Sequence, residues 1–297
     1  MNIKIWLAFG VAAFGWGTAG VGVRAAFDEG LDPLALVALR SIIAAIAIFA
    51  YLVFVRGSVP RSREEWKMGT VMSLFNLTIP FILFTIAIEN VSAGFMGLLP
   101  ALIPLTTAVF AHFLIPEEPL HTGKVVGLVV AFAGVGFLSL TGDSGLEEGG
   151  RPELALLLGG AGVVFIGIAN IYAKKRAAGY DPVEVTGMQF AIGALIMIVV
   201  TAVWEGYPTD VTAIGWLLVM YLAIIGSVVP FLAYYWVLKH VTVTRAQAIA
   251  YLVPLVALSS GIVVLDEKLE IGIAVGGVLI LLGVLLTGAA EKRFVRV

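Results

Sequence analysis

The chain has 297 residues, 60% of them apolar, and carries 18 basic against 20 acidic residues for a net charge of −2. A soluble domain is about 45–50% apolar and about 25% charged; with 13% charged residues and a mean hydropathy of +1.04, this chain lacks the polar surface that a water-soluble globule needs. The absence of a basic block removes any footprint for nucleic acid, and the absence of cysteine removes disulfides, thiolate metal sites and cysteine nucleophiles together.

Lys4 is followed by an apolar run over 5–23 that is too long for the core of a signal peptide, so it reads as a first membrane-spanning helix. Crossing about 30 Å of hydrocarbon takes about 20 mostly apolar residues. Breaking the chain at charged and Pro/Gly clusters predicts ten such spans, over 3–23, 34–55, 68–88, 92–115, 123–141, 153–173, 185–204, 213–237, 244–264 and 270–289. The runs are continuous rather than alternating, which favours helices over barrel strands. The expected fold is an all-α membrane protein of ten transmembrane helices. Fourteen of the 18 basic residues, among them Arg56, Arg61, Arg63, Lys67 and Lys174, fall on the side that also holds both termini. By the excess of lysine and arginine on the cytoplasmic side, both termini are expected inside, in the inner (cytoplasmic) membrane of a cell.

Sliding the chain along itself by 149–150 positions aligns unusual residues. Asp32-Pro33 meets Asp181-Pro182, Pro80-Phe81 meets Pro230-Phe231, Pro104 meets Pro254, and Glu118 meets Glu267. Glycines 123, 127 and 134 meet 272, 276 and 283. Two copies of five helices are expected, over 1–142 and 153–297, joined by a Gly- and acid-rich linker at 143–152. An odd number of crossings turns the second copy upside down, the inverted-repeat plan of many secondary transporters.

Trp16-Gly17-Thr18 in the first span, Arg24, Asp32-Pro33 leading to Arg40, the mid-helix Pro104 and Pro254, and the Glu-x-Leu pair opening spans five and ten together resemble the EamA pattern of the drug/metabolite transporter superfamily. The resemblance covers 5–140 and 153–289. It implies a carrier of small organic metabolites such as amino acids, frequently acting outward, with uptake or multidrug and cation export as alternatives within the superfamily.

Aromatic and amide groups in mid-span are the candidates for a substrate-binding cavity: Trp16, Asn76, Asn170, Tyr234, Gln247 and Tyr251. Gln247, Tyr251 and Pro254 share one helical face, as do Asn76, Pro80 and Phe84. The competing reading is that the amides are interhelical hydrogen-bond glue, each worth about 1 kcal/mol or less. Pro80, Pro104, Pro230 and Pro254 form two repeat-related pairs of kinks, candidates for gating. Pro100 has no counterpart, so the fourth span is expected to be the more distorted of its pair. Arg40 lies about 9 Å inside its span and is expected to snorkel outward, to pair with Glu89 or Asp32, or to hold a substrate carboxylate. Glu118 and Glu267 are expected to cap the fifth and tenth spans.

No Asp, Glu or His falls near the middle of a predicted span, which points to a facilitator or exchanger, or to coupling through a span-end group such as Glu89. The three histidines have no metal-ligand spacing and no phosphate-binding glycine loop occurs, so neither an intramembrane enzyme nor a metal or cofactor is expected. Charge rings and filter sequences of channels are likewise absent. The expected partners are a small-molecule substrate and the lipid bilayer, the protein acting as monomer or homodimer.

Overall fold

The computed structural model describes residues 3–57, 62–116, 118–146, 150–176, 181–240 and 249–294; at 182, 235, 238, 239 and 290–294 it describes the backbone alone. The described residues form helices and no strands. Buried from water in lipid, each backbone group has to find its partner within the chain, and a helix does this within one segment.

In chain order the crossings begin with α1 (Ile3–Asp28), α2 (Pro33–Ala50, prolonged by a π turn at Tyr51–Arg56) and α3 (Arg63–Met72, a π turn at Ser73–Thr78, then Ile79–Ile88). Next come α4 (Ala93–Leu98, a 3₁₀ turn at Leu99–Leu102, then Ile103–Leu114), α5 (Thr122–Thr141), α6 (Pro152–Arg176) and α7 (Pro182–Trp204). The chain ends with α8 (Ala213–Ala223, a π turn at Ile224–Val228, then Val229–His240), α9 (Ile249–Leu265) and α10 (Ile271–Phe294). Nine of these among the described residues are long and apolar enough to cross a membrane, and α9 is a shorter apolar helix. The sequence starts that ninth span at 244, which lies outside the described residues. The first span also runs further than expected, to Asp28, and stops where Gly30 takes a left-handed conformation at φ 85°.

Apart from the charged start of α3, the helices are largely apolar, and large side chains such as Phe54 and Leu140 stand exposed. Contacts between helices follow one rule. α1 packs on α8 and α9, and α6 packs on α3 and α4; α2 packs on α7, and α5 on α10. Shifting residue numbers by about 150 exchanges the first two statements and leaves the last two unchanged. The same holds in detail: a Cβ at Gly17 of α1 would lie 2.6 Å from Val256 of α9, and one at Gly167 of α6 would lie 2.8 Å from Thr106 of α4.

The connections divide between two ends of the bundle, one holding the start of α1 and the end of α10, here called the termini end, and one opposite. At the termini end Arg56 makes a double hydrogen bond to Asp181 (2.9 and 3.0 Å), and Lys174 pairs with Glu118. Asp181 also caps its own helix, accepting from the Val183 and Glu184 amides. The matching Asp32 makes no such cap; Glu205, directly after α7, accepts the Leu34 and Ala35 amides instead, at 2.9 and 3.2 Å. The described part of the linker is held in place, with Asp143 accepting from Gly272 N (2.7 Å) and Gly145 N donating to Glu270 (3.0 Å).

α5 and α10 touch through the glycines that marked the repeat. A Cβ at Gly134 would lie 2.7 Å from the Gly276 carbonyl oxygen and one at Gly276 3.0 Å from that of Gly134, so only bare backbone permits this approach. Gly134→Val is expected to cost about 1–3 kcal/mol of stability, read as a lower melting temperature of the detergent-solubilised protein by size-exclusion fluorescence; an unchanged melting temperature would mean the two helices separate freely.

Candidate functional site

Two prolines shape the wall of the bundle interior before any side chain is considered. Pro80 and Pro230 have no amide hydrogen, so the carbonyls one turn earlier lose their usual donor. The chain answers with a widened turn at both places: Ile79 N–H bonds Leu74 O, and Val229 N–H bonds Ile224 O. The two π turns are 150 residues apart. In α4, Pro100 and Pro104 instead tighten the helix into a 3₁₀ turn, while α9 runs unbroken through Pro254. α4 is thus the more distorted of that pair, as the unmatched Pro100 suggests.

These bent helices surround a cavity of about 740 Å³. Six sequence-selected residues line it: Trp16, Arg40, Asn76, Asn170, Tyr234 and Tyr251, together with Pro104. Gln247 lies outside the described residues. Pro80, Pro230 and Pro254 stand behind the wall; Gly15 of α1 packs against the Pro230 ring.

Trp16 sits edge-on to Phe231 (ring centroids 5.5 Å) and tilted against Tyr234 (5.6 Å). Its indole N–H makes no hydrogen bond among the described residues, and the same is true of the Asn76 amide. Both polar groups therefore stand on the cavity wall available to a ligand. Asn170 is partly the glue of the competing reading: its amide donates to Thr107 Oγ1 at 3.2 Å, tying α6 to α4. The Tyr251 hydroxyl donates to Val284 O at 3.4 Å, and Gly288 leaves room for its tip.

Arg40 departs from two of its expected fates. It is 5% exposed and neither snorkels nor pairs with Glu89 or Asp32. Its Nη2 donates to Ser227 Oγ at 2.9 Å, and the guanidinium lies over the Phe81 ring at 4.3 Å. Glu118 and Glu267 also depart from expectation. Neither caps the helix it precedes: Glu118 takes Lys174, and Glu267 accepts the Ala93 and Gly94 amides (2.6 and 2.9 Å) at the start of α4. A carboxylate is favoured at any helix N-terminus, and tertiary packing rather than chain proximity decides which.

Phe81, Phe231 and Ser227 contribute to the wall or its support and were not selected as site residues from sequence. Phe81 and Phe231 follow the repeated prolines directly, a signal read as a repeat marker alone. Ser227 carried no signal, since a serine in an apolar span is commonplace.

The cavity wall reaches Glu118, Lys124 and Lys174 at the termini end. The opposite end is tied by polar contacts: Arg24 Nη1 donates to Ile88 O and Val91 O (2.8 and 3.1 Å), and Glu267 clamps α4 as above. A smaller recess there, about 330 Å³, is lined by Arg24, Asp28, Asp32 and Glu89 among others.

A many-span helical bundle around an interior cavity of mixed aromatic and polar lining is the architecture of a membrane transporter. Comparison with known proteins specifies the kind. The EamA-like transporter family model matches residues 3–140 and 153–289, and the chain belongs to that family. It is similar to the uncharacterized transporter YoaV of Bacillus subtilis, 23% identical with 98% of this chain and 99% of that protein covered. It is also similar to an uncharacterized transporter of Archaeoglobus fulgidus, 26% identical with 99% and 100% covered. A solved crystal structure shares the fold at a TM-score of 0.69 and 21% identity, covering 99% of each chain.

The acids at the opposite end make stability depend on pH. Partial burial, then the charges of Glu205 and Asp32, raise Glu89 above the ordinary carboxylate range; Glu205 is raised by burial and by Asp32 against the lowering effect of its two amide bonds. Between the ordinary and the raised value the folded chain holds a proton that the unfolded chain has released, so stability falls as pH rises through that window and stays lower above it. Glu89→Gln is expected to raise the melting temperature by about 1–2 °C at pH 7.5 and to leave it unchanged near pH 4; a gain of equal size at both pH values would rule out titration as the cause.

Proposed function

We propose that the chain is a secondary carrier that moves small organic metabolites, such as amino acids, across the cytoplasmic membrane by alternating access, and mainly outward. The observation that carries this is the cavity: stacking surface from Trp16, Phe231 and Tyr234, with the Asn76 amide and the Arg40 guanidinium on the same wall, is suited to an amphipathic solute with one apolar body and a polar end. The exchange of helix contacts under the 150-residue shift, and the paired π turns, support two inverted five-helix repeats that rock about the cavity. The excess of basic residues on the termini side supports cytoplasmic termini. With that orientation the cavity wall extends toward the cytoplasmic end at Glu118 and Lys174, which pair with each other there, and the outer end is tied by Arg24 and Glu267. Cation export is disfavoured by the buried charge of Arg40, which repels a cationic solute.

Saturable flux of labelled solutes into vesicles carrying the purified protein tests the carrier reading, and cells expressing it are expected to resist toxic amino-acid analogues rather than become sensitised. Trp16→Ala and Tyr251→Ala are each expected to lower kcat/KM about tenfold or more with unchanged folded yield; unaltered kinetics in both would confine these rings to packing. For the gate, the absence of cysteine allows a single reporter at Thr85. Glu267→Gln, which weakens the clamp on α4, is expected to raise its labelling by an impermeant maleimide applied from outside severalfold, and an unchanged rate would remove Glu267 from the gate.

A further inference from the structure

Arg40 is charged, almost wholly buried in the interior of an apolar bundle, and without an acidic partner among the described residues. Its only hydrogen bond there goes to the neutral hydroxyl of Ser227, and the Nε hydrogen is buried with no acceptor. Ser227 uses its own hydrogen on Leu222 O (2.8 Å), so its oxygen is an acceptor toward Arg40 and offers no negative charge. The Phe81 ring face offsets part of the cost of burying the cation. Burying an ion without its counter-ion is expensive, and the guanidinium keeps a fork of donors whose geometry matches a carboxylate. Beside it Gly226 presents only backbone: a Cβ there would lie 3.8 Å from Nη2. Arg40 and Gly226 both line the cavity.

The repeat sharpens the point. Gln189, the counterpart of Arg40, is 0% exposed and neutral, with neither amide atom partnered, and it is not part of the cavity wall. The two related positions thus place a single fixed positive charge in the interior, next to α8, and not a symmetric pair.

We infer that the cavity is an anion site whose missing counter-ion is the cargo itself: Arg40 holds a carboxylate group of the transported solute between α2 and α8, and the solute's apolar body lies toward Trp16, Phe231 and Tyr234. This rests on the cavity being the substrate site. It restricts the cargo to solutes bearing a carboxylate and excludes simple amines. Because the cargo supplies the charge that Arg40 lacks, loading neutralises the interior, and the Ser227 bond on the α8 π turn is the contact that the incoming group competes for.

The test is a thermal-shift titration of the full-length purified protein with matched triads on indole, phenyl and isobutyl scaffolds: the amino acid, its amide, and the corresponding decarboxylated amine. The expected result is that in at least one triad the carboxylate half-saturates at a tenfold lower concentration than its amide, with no response to the amine. In Arg40→Gln that gap is expected to close to under threefold while amide binding is unchanged, and Arg40→Lys is expected to retain part of it. Equal binding of carboxylate and amide by the parent protein, no response to any carboxylate, or a gap that survives in Arg40→Gln would overturn the proposal. If Arg40→Gln does not fold, the parent titration and Arg40→Lys still decide. Saturable flux of amines alone would sink this proposal and leave the carrier reading standing, whereas carboxylate binding without flux would do the reverse.

Discussion

Everything in this bundle answers to one constraint: in hydrocarbon there is no water to take up a backbone amide or carbonyl that the chain leaves unpaired. Ten helices satisfy it for most residues. Where prolines interrupt the ladder, the structure answers with π turns ahead of Pro80 and Pro230 and a 3₁₀ turn around Pro100 in α4, while α9 runs on through Pro254. Irregular backbone at membrane depth is tolerated where it is covered by protein or lines a cavity, and here each interrupted helix brings a residue of its irregular turn to the cavity wall: Asn76 in α3, Pro100 in α4 and Gly226 in α8. The devices that repair the backbone also open the interior.

Polar side chains obey the same accounting, and the residues that fail it are informative. Asn170 is satisfied by Thr107, and Glu205 and Glu267 are satisfied at the N-termini of α2 and α4. Trp16, Asn76 and Arg40 retain hydrogen-bonding capacity, and all three face the cavity. Gln189, whose amide is buried without a partner, lies away from the cavity wall, so an unmet hydrogen bond and a place on the wall coincide only at Trp16, Asn76 and Arg40 among these groups.

Close packing between the halves depends on glycine rather than on large apolar residues. Lipid tails are as apolar as leucine, so burial supplies little preference for helix against helix over helix against lipid, and close backbone approach takes its place. Gly17 and Gly167 play equivalent parts in the two halves, and Gly134 and Gly276 meet each other across α5 and α10. At these contacts backbone meets backbone or side chain with no Cβ between them.

Much of this was legible in the residues alone. The all-helical membrane fold, the places of the described spans to within a few residues and the family follow from hydropathy over about 20-residue windows and from rare residues recurring at one offset, both of which are properties of position along the chain. Trp16, Asn76 and Tyr251 could be selected because an aromatic or amide group in an apolar span is costly enough to need a reason. Partner choice was not legible. The acid that caps α2 is Glu205 and not the adjacent Asp32, Glu267 serves α4 and not the helix it precedes, and Arg40 meets Ser227 and Phe81 instead of Glu89. A carboxylate is equally content at any helix N-terminus and a guanidinium with any acceptor within reach, so sequence determines what each group needs, and only the folded arrangement of helices decides which neighbour supplies it or leaves it unmet.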